Sequence, residues 1–247
     1  MNLIITDNYN ELSKKSAELI KEQIIHKPNT VLGLATGSSP IGTYKELIRM
    51  HKEEGLDFSK VITFNLDEYY GLSPENEQSY HYFMYNNFFK YVNIKPENIH
   101  IPDGKTKNVA KFCSKYENDI AEYGGIDIQL LGIGENGHIG FNEPDSALDV
   151  PTHLTNLTKN TIEVNARFFK SINEVPKKAV TMGLGTIMRS KQIILIANGD
   201  KKADIIGKMI NNNVVTTNIP ASFLFLHRNV AVIVDKEAAG NLKQQIA

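Results

Sequence analysis

Short, almost wholly apolar runs punctuate the chain: LIIT at 3–6, TVLGLAT at 30–36, KVITFNL at 60–66, IDIQLLGIG at 126–134, QIILIAN at 192–198 and NVAVIVD at 229–235. Runs of this length without polar alternation predict strands covered on both faces. Between them the spacing changes. In NELSKKSAELIKEQII (10–25), Leu12, Ala17, Leu19, Ile20 and Ile24 gather near one side, which predicts a helix. Helices are also predicted over 40–54, opened by Pro40, over the aromatic-rich stretch 79–92, and over 109–123, 200–210 and 236–246. Strand alternating with helix predicts an α/β fold, a three-layer α/β/α arrangement around a mostly parallel sheet, in one domain over 1–247.

Residues 145–180 break this rhythm. The stretch is polar, lacks a clear strand and contains RFFKSINEVPKKA. A long, weakly patterned segment after a glycine-rich turn predicts a lid over a site, or else an ordinary helical excursion.

Composition and charge act mainly by exclusion. A net charge of -1 gives no reason to expect a nucleic acid or an anionic membrane as partner, although a local basic pocket is compatible with it. Cys113 is the single cysteine, so no internal disulfide can form; its helical neighbours Phe112 and Tyr116 make it a packing residue. The first residues do not read as a signal peptide, and no apolar run has the length of a membrane span. A reducing, cytoplasmic location is the expectation, which leaves the Asn156-x-Thr158 sequon uninformative.

In open parallel sheets, ligands sit beyond the carboxyl ends of the strands. Four such ends are chemically loaded. The first is GLATGSSPIG at 33–42. A serine N-cap followed by Pro40 predicts a firm helix start, and a helix N-terminus surrounded by Thr36, Gly37, Ser38 and Ser39 would bind a phosphate. The same residues would serve equally as a simple cap. The second is FNLDEYYGL, where Asp67 and Glu68 follow a strand directly. Neighbours on a strand point to opposite sides, so only one of them should face a site, although both are candidates for its pocket.

The third end, LLGIGENGHIGFNEP, spells G-x-G-x-x-G through Gly132, Gly134 and Gly137. A dinucleotide site needs a helix to begin at the last glycine and an acid about 20 residues on. Here Gly140 and Pro144 follow closely and no strand ends in an acid at that distance. Gly134 and Gly137 are better read as letting the backbone approach a ligand. The polar remainder is Asn136, His138 and Glu143, and an imidazole with a carboxylate is a proton-transfer pair. No second His or Cys stands at ligand spacing, so no metal is expected. The fourth end, NGDKKADIIGKM, places Lys201 and Lys202 in the first turn of a predicted helix. There they oppose the helix dipole, and an anion would explain them, as would simple solvation.

Taken together, LGLATGSSP, TFNLDEYYGL, SYHYFM, LLGIGENGHIGFNEP, ARFF and GDKK resemble the glucosamine-6-phosphate deaminase (isomerising) family, in order and over nearly the whole chain. The resemblance implies a modified Rossmann-like domain. It also implies conversion of α-D-glucosamine 6-phosphate and water to fructose 6-phosphate and ammonia, with no cofactor. Carried over residue by residue, Asp67 is the base that moves the C2 proton to C1, His138 acts at the ring oxygen, and Glu143 orients and tunes His138. Asn136 is a further partner of this group. Ser38 and its neighbours, Arg167 and Lys202 hold the phosphate. Many members carry Asp where this chain has Asn136, which predicts a less stabilised imidazolium. The longer members extend further at the carboxyl end and carry allosteric contacts there, so weak or absent activation by N-acetylglucosamine 6-phosphate is expected. The oligomeric state, monomer or homo-oligomer, is left open.

Two other functions fit parts of this pattern. A 6-phosphogluconolactonase would want the phosphate cradle and a histidine, but not an enolising carboxylate. A sugar-phosphate sensor would want a DNA-reading module, for which the chain before the first strand leaves no room.

Overall fold

The computed structural model describes residues 1–242. Seven strands form one sheet, all of whose pairings are parallel. They are β1 (Asn2–Thr6), β2 (Val31–Leu34), β3 (Ile62–Asn65), β5 (Ile99–His100), β6 (Ile128–Leu131), β9 (Gln192–Ala197) and β10 (Val230–Asp235), in the order β1-β10-β9-β6-β2-β3-β5. The apolar runs are explained by burial on both faces. In β2, Leu32 and Leu34 join one hydrophobic cluster, while Val31 and the following Ala35 join the other.

Helices cover the two faces. α1 (Tyr9–His26), α2 (Ile41–Glu54) and α3 (Tyr80–Asn87) contribute Leu12, Ile20, Tyr44, Leu47 and Met84 to one layer. α4 (Val109–Glu122), α6 (Leu184–Met188) and α7 (Ala203–Asn212) contribute Tyr116, Ile187, Ile205 and Met209 to the other. Among the described residues no helix is long and apolar enough to cross a membrane.

A second sheet of three antiparallel strands was not predicted. It joins β4 (Asp67–Tyr69), β8 (Lys178–Thr181) and β7 (His153–Asn156) in the order β4-β8-β7. The segment 145–180 is therefore not strandless, as the sequence pattern implied. Its two strands flank α5 (Lys159–Asn165) and a 3-10 turn, Ala166–Phe168. That middle part roofs the site, so the expected cover exists but is shorter than 145–180.

Several helix boundaries also differ. The helix predicted over 200–210 opens as a 3-10 turn, Asp200–Lys202, which holds Lys201 and Lys202 ahead of α7. α2 begins one residue later than predicted, with Pro40 as N-cap and no side-chain cap. The predicted helix over 79–92 stops at Asn87 and continues as a 3-10 turn, Phe89–Tyr91. The predicted helix over 236–246 is a series of turns as far as residue 241, and its last residues, 243–246, lie outside the described residues.

Candidate active site

Strands β9, β6, β2 and β3 are neighbours at the middle of the large sheet, so their carboxyl ends meet. A cavity of about 260 Å³ opens there. Its walls come from all four loaded strand ends, which lie far apart in sequence: Thr36–Ser39, Asp67, Gly134 with His138, and Asn198 with Lys201 and Lys202. The roof is α5 and the turn after it, through Asn160, Thr161, Val164, Asn165 and Arg167.

Asp67 opens the short strand β4 and pairs with Thr181 of β8. Its side chain faces the cavity yet is only 5% exposed. Among the described residues no hydrogen bond reaches its carboxylate. Burial, and then repulsion from Glu68, push its pKa up to about 8. A carboxylate in this condition holds a proton strongly, which is what a base acting on carbon needs.

Glu68 was expected in the pocket, and the structure corrects this. Alternation along β4 sends it the other way, where it is 1% exposed. There it accepts from the backbone N–H groups of Tyr69, Tyr80 and His81 and meets His81 Nδ1 at 2.8 Å. It satisfies the first N–H groups of α3 and so fixes Tyr80, whose side chain lines the cavity.

The glycine-rich turn after β6 presents His138. Gly134 N–H donates to His138 O at 2.9 Å, and Gly137 N–H to Gly134 O at 3.0 Å, which closes a tight loop. Gly134 lies directly under the imidazole, where no side chain would fit. Gly137 does not line the cavity, contrary to expectation. It has a φ of +90° and packs against Ile219 and Ile205, so its role is in shaping the turn.

Behind His138 stands a short polar chain. Asn136 Nδ2 donates to Glu143 Oε2 at 2.7 Å, which turns Asn136 Oδ1 toward His138. That oxygen lies 2.7 Å from His138 Nδ1 and also accepts the His138 N–H at 3.2 Å. Glu143 Oε2 is 3.2 Å from the same Nδ1. Both neighbours of Nδ1 are acceptors, so Nδ1 carries the proton and Nε2 is left to exchange one with whatever occupies the cavity. Asn136 and Glu143 do not line the cavity; they contact His138 at Nδ1. Burial alone would raise the Glu143 pKa, but the hydrogen bond and charge of His138, with Thr161 and Asn136, hold it at about 2. This carboxylate stays ionised, in contrast to Asp67.

Cations line the same cavity. Thr36, Gly37, Ser38 and Ser39 run into the N-terminus of α2, and Arg167, Lys201 and Lys202 are lining residues with them. Burial, with repulsion from Arg167 and Lys201, pulls the Lys202 pKa down, against the attraction of Glu135. Cations crowded together in a cavity that also holds a helix N-terminus call for an anion. Ser39 does not cap the helix; its hydroxyl donates to Asn198 Oδ1 at 2.6 Å and ties this loop to the end of β9.

Several lining residues were not expected as site residues, among them Gly140, Tyr80, Thr161, Asn165 and Asn198. Gly140 has a φ of +57°, and a β-carbon there would sit 3.0 Å from Thr181 Oγ1 and 3.7 Å from Asp67 Oδ2. The position of Gly140 after the histidine was the available clue. Among the described residues no group of three or more His, Cys, Asp or Glu could hold a metal ion.

Comparison with known proteins gives a consistent result. Residues 6–233 match the family described as glucosamine-6-phosphate isomerases/6-phosphogluconolactonase. A glucosamine-6-phosphate deaminase from Thermoanaerobacter sp. is 59% identical over 97% of this chain and 94% of its own length. One from Clostridium acetobutylicum is 57% identical over 97% and 99%. The solved structure of a monomeric glucosamine-6-phosphate deaminase superposes with a TM-score of 0.95 at 45% identity, over 98% of this chain and 100% of that one. A 6-phosphogluconolactonase from Trypanosoma brucei shares the fold, with a TM-score of 0.76 at 20% identity over 98% of each chain.

Proposed function

The chain belongs to the glucosamine-6-phosphate isomerase/6-phosphogluconolactonase family, and we propose that it is an enzyme converting α-D-glucosamine 6-phosphate and water to fructose 6-phosphate and ammonia. The reading rests above all on one observation: a buried carboxylate, Asp67, and an imidazole, His138, with an open Nε2 face one cavity that Arg167, Lys201 and Lys202 also line. The ligand is a small phosphorylated amino sugar, and the reaction belongs to amino-sugar breakdown.

The phosphate sits among Ser38 and its neighbours, Arg167 and Lys202, remote from C1 and C2. Binding energy from that end positions the reacting carbons. His138 Nε2 passes a proton from the O1 hydroxyl to the ring oxygen, which opens the hemiacetal. Glu143 and Asn136 stabilise the transient imidazolium at Nδ1. Asp67 then removes the C2 proton to give an enolamine and returns it at C1. Water adds to the resulting imine at C2, and ammonia leaves. Every step uses the chain's own residues and water.

The C2 substituent also bears on Asp67. A protonated amine brings positive charge beside the carboxylate and lowers its proton affinity when substrate is bound. Substrate thus helps ionise its own base. A lactone has no such group and no need of one.

The test is an assay of ammonia and fructose 6-phosphate formed from glucosamine 6-phosphate, run beside hydrolysis of 6-phosphogluconolactone. Equal amounts of the two products with no lactone hydrolysis are expected. Lactone hydrolysis without ammonia release overturns the reading.

A further inference from the structure

Glu143 is held from two directions. Asn136 and His138, from its own turn, engage Oε2. The hydroxyl of Thr161, from α5, donates to Oε1. Thr161 is 4% exposed and is part of the roof over the cavity. We infer that Thr161 is a positioning residue, through which the phosphate-gripping segment fixes the Glu143 carboxylate and so the His138 imidazole.

The direction of the hydroxyl protons supports this. Thr158 caps α5 by accepting the Thr161 N–H at 3.3 Å, and its hydroxyl donates to Thr161 Oγ1 at 3.2 Å. With that lone pair taken, the Thr161 proton turns to Glu143, which can only accept. A carboxylate held at one oxygen can swing about its terminal bond; held at both, it has one plane. That plane keeps Oε2 against His138 Nδ1.

The same segment carries Arg167, six residues after Thr161 and about 9 Å further along at helical rise. Tyr69, Phe141, Leu157 and Ala179 form a small apolar cluster under the segment, against which Ile162 and Phe169 pack. Arg167 on the phosphate and Thr161 on Glu143 are thus placed by one short rigid piece. Engaging the phosphate and aligning the proton-transfer group become a single event. The other charged groups that line the cavity are Asp67 after β3, Glu135 in the glycine-rich turn, and Lys201 and Lys202 after β9, besides Arg167 itself. Asp67 and Glu135 are carboxylates, and neither Lys201 nor Lys202 donates to Oε1 among the described residues.

The inference rests on the proposed deaminase reading, and two measurements separate them. Thr161→Val keeps the shape and removes the hydroxyl; Thr161→Ser keeps the hydroxyl. A lost hydrogen bond to a charged group predicts a fall in kcat of about ten- to a hundred-fold for Thr161→Val, with KM within about two-fold. Thr161→Ser should stay within about three-fold of wild type. Wild-type kcat in Thr161→Val, or equal losses in both variants through a higher KM, overturns the inference. Should the wild-type enzyme release no ammonia, the functional reading fails, and the Glu143 carboxylate can still be titrated by 13C NMR. Its titration should move up by about one unit in Thr161→Val and not in Thr161→Ser. An unmoved titration in Thr161→Val overturns the inference.

Discussion

The imidazole of His138 lies so close over Gly134 that a β-carbon on residue 134 would stand 2.3 Å from ring atoms Cε1 and Nδ1. The glycine is therefore not a relic of a nucleotide fingerprint. It is the floor on which the His138 imidazole rests.

Gly134→Ala should displace the ring from Asn136 and Glu143. A shift of about 1 Å in a reacting group costs about a hundred-fold in rate. The expected outcome is a fall in kcat of that order with little change in melting temperature, because the collision is with a ring at a cavity wall. Steady-state kinetics and thermal melting check it.

Two pH profiles should differ in a defined direction. In the free enzyme Asp67 is held near 8, so kcat/KM should rise with pH through about 8. With substrate bound, the C2 ammonium favours the ionised carboxylate, so the acid limb of kcat should lie at least about one unit lower. Coincident limbs would show that the amine does not sit beside Asp67.

The same residue limits stability. A raised carboxyl pKa means that the folded state prefers the protonated form. Its contribution is complete below about 3.9, the unfolded value, and is lost as pH rises through about 8. Asp67→Asn removes that penalty. It should melt several degrees above wild type at pH 8 and at the same temperature near pH 4. Differential scanning calorimetry at the two pH values reads the difference directly.

Asn136 offers a third lever. Its Oδ1 is 2.7 Å from His138 Nδ1 and carries no charge. Asn136→Asp places a carboxylate there and should stabilise the imidazolium, moving the limb of the pH–rate profile that reports His138 up by about one unit. An unchanged profile would mean that the partner at Nδ1 does not set the imidazole's proton affinity.

Most of this architecture could be read from the sequence because burial on both faces writes itself as an apolar run. The strands at 31–34, 128–131, 192–197 and 230–235 are such runs, and the four loaded ends follow from them. The small antiparallel sheet left no comparable trace. Asp67–Tyr69 is three residues long, and HLTN at 153–156 is half-exposed and mostly polar. Both become strands through pairing with Lys178–Thr181, a long-range contact that local pattern does not carry. Glu68 shows a clue left unused: alternation allowed only one of the adjacent carboxylates to face the site, yet both were kept as pocket candidates, and the structure shows Glu68 capping α3. Thr161 was out of reach altogether, because its meaning lies in a contact with Glu143, 18 residues away.

The proposed reaction turns on Asp67 moving the proton at C2. Asp67→Asn preserves the side chain's shape and removes its basicity. The measurement is ammonia release from glucosamine 6-phosphate by wild type and variant, with the binding of the sugar phosphate followed by calorimetry. Turnover should fall at least about a thousand-fold, corresponding to about 4 kcal/mol of barrier, with affinity within about three-fold. A variant that still releases ammonia within about ten-fold of the wild-type rate would contradict it.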